Sequence, residues 1–62
     1  MAWFAEKGFR LLVVQELTES QPHYSADVLS GDGERRLQTR YGCGATPGEA
    51  ALSARMRYEI EQ

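Results

Sequence analysis

This sequence lacks nearly everything that staples a small domain together. Its one cysteine, Cys43, cannot close an intrachain disulfide. Together with its one histidine, His23, it falls short of the four ligands of a structural zinc, and no Cys-x-x-Cys spacing occurs. No metal and no cofactor are therefore expected. A chain of 62 residues hides only about 60% of the surface it exposes when unfolded, so its stability is marginal. With disulfide and metal both excluded, self-association is the remaining aid.

An excess of positive charge is also missing. The 7 basic and 9 acidic side chains give a formal net charge of -2, the wrong sign for steering toward a phosphate backbone. No apolar run approaches the roughly 20 residues that span a bilayer. Met1 to Arg10 lacks the apolar centre of a signal peptide. These absences point to a cytoplasmic protein with no membrane contact, whose thiol stays reduced.

Catalytic equipment is equally sparse. His23 is the one side chain whose ordinary pKa lies near neutrality, but it follows a proline at a strand start and reads as an exposed, uninvolved histidine. Cys43 sits at a strand end with no base in reach and reads as a small buried apolar group. Gly42, Gly44 and Gly48 flank a helix start, yet their spacing fits neither a dinucleotide fingerprint nor a P-loop. The turn at Asp32 lacks the repeated oxygen ligands of a calcium loop. No catalytic residue is assigned, and the chain is expected not to be an enzyme.

What the sequence does contain is a clear order of elements in a single domain, 1–62. Phe9 to Leu17 is a β-branched, apolar run that reads as a strand. Period-two alternation puts Leu11, Val13 and Leu17 on one face, and Leu12 and Val14 on the other beside Arg10 and Glu16. Thr18 to Pro22 is a polar connection, and a second strand starts near His23 with Tyr24, Ala26 and Val28 facing the core. Ser30-Gly31-Asp32-Gly33 then signals a hairpin. A third strand is expected over Arg36 to Cys43, with Leu37, Thr39, Tyr41 and Cys43 on one face and Arg36, Gln38 and Arg40 on the other.

Thr46-Pro47-Gly48-Glu49 is the sharpest local signal, a capping threonine, a first-turn proline and a glutamate that completes a capping box. The helix it opens should run from Pro47 to about Glu61. Ala50, Ala51, Ala54 and Tyr58 form one stripe, and Leu52, Met56 and Ile60 a second. The expected architecture is α+β, a three-stranded antiparallel sheet followed by one C-terminal helix packed on one sheet face (β-β-β-α).

Two candidate surfaces follow. Leu12 and Val14 on the sheet, with Leu52, Met56 and Ile60 on the helix, exceed what one small core absorbs and mark an oligomer or partner interface. Either the N-terminal Trp3 and Phe4 fold back over Leu12 and Val14, or another subunit does. Arg10, Arg36 and Arg40 can share the sheet face away from the helix, the pattern of an RNA platform. Against it stands a solvated face on which Glu16 and Asp27 neutralise the arginines.

The order of strands, the Tyr-x-Ala-x-Val of Tyr24, Ala26 and Val28, and the Gly-x-Thr-x-x-Glu-Ala of Gly44, Thr46, Glu49 and Ala50, followed by Ala54, resemble the HicB-like antitoxin family. The resemblance covers about Phe9 to Tyr58. It implies a small non-enzymatic protein that binds and neutralises a small, basic ribonuclease toxin, as a homodimer or larger assembly. Many members also bind DNA through a separate C-terminal segment. No helix-turn-helix or ribbon-helix-helix follows within these residues, so DNA binding is not carried over. Gly42-Cys43 lies closer to Thr46 than the family's Gly-Cys does, and the apolar helix position after Glu-Ala is only Ala51. The alternative is a nucleic-acid-binding or phage-type accessory protein that uses the basic sheet face.

Overall fold

A computed structural model describes residues 2–17 and 22–62. The elements run α1 (Ala2–Glu6), β1 (Arg10–Leu17), β2 (Pro22–Leu29), β3 (Gly42–Gly44) and α2 (Pro47–Ile60). The three strands form one antiparallel sheet in the order β1-β2-β3, and α2 packs on one face of it, an α+β fold. The expected connection at Thr18 to Gln21 lies outside the described residues.

The first two strands pair over their full length, Arg10 opposite Leu29 and Leu17 opposite Pro22. Alternation therefore holds: Leu11 stands beside Val28 and Val13 beside Ala26 on the helix side, while Leu12 and Val14 stand beside Asp27 and Ser25 on the open side. After β2 the chain turns through a tight polar loop. Asp32 accepts from the Ser30 hydroxyl and the Glu34 N–H, and Gly33 takes a positive φ of 76° that a side chain would resist.

The third strand is much shorter than the alternation predicted. Leu29 and Arg36 make an isolated bridge, and the ladder resumes only at Gly42. The cause is Gln38, which turns inward and is almost fully buried. Its Oε1 accepts from Val28 N–H at 3.0 Å, replacing a strand backbone with an amide side chain. Its Nε2 donates to Arg40 C=O at 2.9 Å and to Ala54 C=O at 3.4 Å. Gln38 thus lies on the core side, and the expected faces of Arg36 to Cys43 do not hold. Cys43 is likewise exposed, because β3 turns Gly42 and Gly44 toward α2 instead.

The two glycines explain the alanine stripe. A Cβ on Gly42 would overlap the backbone of Ser53 and Ala54, and one on Gly44 would come within 2.8 Å of Ala50 N. Bare strand backbone meets alanine-faced helix, so α2 sits directly on β3. The helix itself begins as expected: Thr46 Oγ1 accepts from Glu49 N–H at 3.1 Å, Pro47 occupies the first turn, and Glu49 reaches back to Ala45 N–H at 2.9 Å.

A short N-terminal helix, α1, is an addition to the expected β-β-β-α order. It ends in a Schellman motif: Phe9 N–H donates to Phe4 C=O, Gly8 N–H donates to Ala5 C=O, and Gly8 has a φ of 74°. Phe4 enters the core, while Trp3 and Phe9 pack edge-on against Tyr58 of α2. Trp3 and Phe4 therefore lie on the helix side and do not cover Leu12 and Val14.

Candidate interaction surfaces

The buried apolar residues are Phe4, Ala26, Val28, Ala50, Ala51 and Ala54, most of them alanine. The larger apolar side chains stand outside: Leu12, Val13, Val14, Leu17, Tyr41, Leu52, Met56 and Ile60 are all exposed, Leu17 to 80% and Ile60 to 74%. The five residues expected at an interface are thus all accessible, but they do not form one surface. Leu12 and Val14 lie on the open sheet face, whereas Leu52, Met56 and Ile60 follow at i, i+4 and i+8 along the outer side of α2.

The first surface belongs to β1, the terminal strand of the sheet. Because α2 sits over β2 and β3, the far half of β1 is exposed on both faces, Val13 and Leu17 on the helix side as well as Leu12 and Val14 on the open side. Among the described residues nothing pairs with its outer hydrogen-bonding edge either. Val28 N–H and C=O both point away from β1, to Gln38 Oε1 and Leu37 N–H. In an antiparallel ladder such groups alternate, so Arg10, Leu12, Val14 and Glu16 bond to β2. Leu11, Val13, Gln15 and Leu17 direct their N–H and C=O groups outward, where no described residue pairs with them.

The second surface runs along α2. Leu52 borders a groove of about 270 Å³ between α1 and α2, lined by Trp3, Phe4, Ala51 and Arg55. The Arg55 guanidinium lies over the Trp3 ring, 4.7 Å from its centre, and its Nε stands 3.6 Å from Glu59 Oε1. The apolar ridge is thereby framed by one stacked cation and one carboxylate.

The arginines separate. Arg10 and Arg36 flank Leu29 on the open face, where Arg36 Nη1 stands 3.8 Å from Asp27 Oδ1. That distance is an ion pair but not a hydrogen bond, and Oδ1 is buried without a hydrogen-bond partner among the described residues. Arg40 stands apart, beside Arg57, Ile60 and Glu61 at the end of α2. Glu61 draws the chain there, accepting from Thr39 N–H at 2.6 Å and Arg40 N–H at 3.3 Å. The Thr39 bond, and to a lesser degree the Arg40 bond, hold the Glu61 carboxyl below the usual glutamate range. The Ser30 hydroxyl and then the Glu34 N–H do the same for Asp32.

His23 Nε2 stands 2.9 Å from Glu16 Oε2, so the histidine is engaged at the surface with a carboxylate on the neighbouring strand. Among the described residues no helix is long and apolar enough to cross a membrane. Comparison with protein-family models, with curated proteins and with solved structures finds no match for this chain.

Proposed function

We propose that this chain is a non-enzymatic binding module that completes its burial against other protein chains. One observation carries the reading: among the described residues, four of the six buried apolar ones are alanine, while eight larger apolar side chains are exposed. Ala26, Ala50, Ala51 and Ala54 are buried, while Leu12, Leu17, Leu52, Met56 and Ile60 are exposed. Fully burying a leucine or methionine is worth about 1.5 to 3 kcal/mol, a gain this fold leaves for a partner. The narrower form of the proposal is a HicB-type antitoxin of the cytoplasm that covers a small basic ribonuclease. It is supported by the motif residues Ala26, Val28, Gly44, Ala50 and Ala54, which line the strand-helix seam, and by a net charge of -2 that suits a basic partner. The nucleic-acid reading retains only Arg10 and Arg36 on the open face, with Asp27 paired to one of them.

The test is sedimentation over the micromolar range, with native isolation of the tagged chain from its own cells and assay of any bound protein for RNA cleavage. The expected result is a species heavier than the 7.0 kDa protomer. In the antitoxin form, the bound ribonuclease is silent until the chain is removed. Leu52→Lys with Met56→Lys should release a partner held on α2 without lowering Tm, since both side chains already face water. A solitary 7.0 kDa molecule in both settings overturns the proposal.

A further inference from the structure

The free edge of β1 is built to pair with itself. An unprotected edge strand is a template for another chain, and natural proteins blunt such edges with proline, charged side chains, bulges or very short strands. β1 has no proline, lysine or bulge, and its two charges, Arg10 and Glu16, are of opposite sign near its two ends: it is eight residues of Arg-Leu-Leu-Val-Val-Gln-Glu-Leu in unbroken pairing with β2. The opposite edge is closed. β3 is only three residues long, and the outward N–H of Cys43 is taken by Ser53 Oγ at 3.2 Å. A sheet with one open edge makes a closed pair and not a filament.

The register can be read from the strand. Leu11, Val13, Gln15 and Leu17 carry the outward backbone groups, so in a two-fold antiparallel pair these residues must face one another. Centring the axis on Val13 sets Val13 against its copy and Leu11 against Gln15. On the open face the same register sets Leu12 against Val14 and Arg10 against Glu16, twice by symmetry. On the helix face it brings Leu17 opposite Phe9. Centring on Leu12 would instead put Arg10 opposite Val14, and centring on Val14 would put Leu12 opposite Glu16. Of these three registers, the Val13 one alone sets charge against opposite charge and apolar against apolar on the open face.

We propose that two copies of this chain join β1 to β1 across a two-fold axis at Val13, forming a six-stranded antiparallel sheet with Arg10 of each copy opposite Glu16 of the other. The pairing rests on the binding-module reading above and names one partner for it. Both α2 helices then lie on the same side of the sheet. On the other side Leu12 and Val14 of the two copies form one apolar cluster closed at each end by an ion pair. Glu16 keeps His23 on its inner side and receives Arg10 of the partner copy on its outer side. Among the described residues Arg10 has no ion-pair partner within its own copy.

The test is a charge exchange followed by sedimentation and mass measurement of the full chain. The wild type should be a dimer. Arg10→Glu or Glu16→Arg alone sets like charges together at two symmetric positions and should weaken the dimer by about tenfold, while the double variant recovers it. Mixing the two single variants should give the heterodimer in preference to either homodimer, since both contacts then become complementary. In a Cys43→Ser background, Leu12→Cys with Val14→Cys should form a disulfide-linked dimer on mild oxidation, because these residues face one another across the axis as a non-hydrogen-bonded pair with Cα atoms about 4.5 Å apart. Circular dichroism of each variant confirms that it is folded. A dimer indifferent to the charge exchange, or one in which Leu12→Cys with Val14→Cys fails to link, overturns the pairing. A monomer that still holds a foreign protein overturns it too and leaves the binding-module reading standing, whereas a monomer with no partner sinks both.

Discussion

Gly42→Ala separates close packing from backbone freedom by the sign of its effect. Gly42 does not have a positive φ, so alanine suits its backbone. Where there is room, such a change stabilises by about 0.4 to 1 kcal/mol by restricting the unfolded chain. Here there is none: the new Cβ would lie 2.6 Å from Ala54 Cα and Ser53 C, against the ~3.5 Å or more that carbon atoms require. Both obstacles are backbone, so α2 must move by about 1 Å and lose its seat on β3. Overpacking of this kind costs about 1 to 3 kcal/mol. The net loss is about 2 kcal/mol from a domain of 62 residues that holds about 3 to 9 kcal/mol in all. The corresponding fall in Tm is about 8 to 16 °C. Urea unfolding at fixed protein concentration measures it, with Trp3 emission reporting on α2 through the Tyr58 ring 5.9 Å away. Gly48→Ala is the control. A Cβ there meets only Thr46 Oγ1 at 3.9 Å, and within a helix it should stabilise by up to about 1 kcal/mol. If Gly42→Ala raised the midpoint as Gly48→Ala does, the account of the seam would be refuted.

Gln38→Ala strips a buried Val28 N–H and the Arg40 and Ala54 carbonyls of their partner, and should cost about 1 to 3 kcal/mol in urea midpoints; Gln38→Glu, which accepts but cannot donate, should not rescue it. Thr46→Ala should cost about 1 kcal/mol and Thr46→Asp recover most of it, read by the same unfolding curves. Glu61 has a folded pKa below its unfolded one, so its contribution is present above the ordinary glutamate value of about 4.3 and is lost as pH falls through the lower folded value. The protection factors of the Thr39 and Arg40 amides, measured relative to intrinsic exchange, should therefore fall as pH drops below the ordinary glutamate range, and Glu61→Gln should abolish that step.

Much of this arrangement was legible from local chemistry. Alternation placed Leu11 and Val13 opposite Leu12 and Val14, and Thr46, Pro47 and Glu49 fixed the start of α2. Both signals are short-range and need no knowledge of the rest of the fold. Gln38 was misplaced because alternation assigns a polar side chain to water, whereas here a long-range need, the unpaired Val28 N–H, draws the amide inward. That inversion shortened the third strand and carried Arg40 away from Arg10 and Arg36 to the end of α2. Five residues of α1 are too few to show a period, but Gly8 between Phe4 and Phe9 carries the Schellman pattern and was the available clue. Gly42 and Gly44, read from the sequence only as flanking the helix start, are the bare strand on which Ala50 and Ala54 sit, a match between distant elements that no local pattern displays.

The same seam explains why the binding surfaces exist. Once Gly42 and Gly44 bring α2 down onto β3, the helix residues at that seam are alanines, and Val28 is the largest side chain fully enclosed among the described residues. Larger apolar side chains stay at the margin, partly buried like Leu11 and Leu37 or exposed like Leu52, Met56 and Ile60. The helix is also drawn toward β2 and β3 and away from β1, so the edge strand is uncovered by the contact that stabilises the rest. Exposure of Val13 and Leu17 on the helix side is therefore a geometric consequence of where the glycines lie, whereas Leu12 and Val14 are exposed because they face away from the helix altogether. Filling the seam and covering the edge compete for one helix, and this sequence resolves the competition in favour of the seam, leaving the edge open to the second copy proposed above.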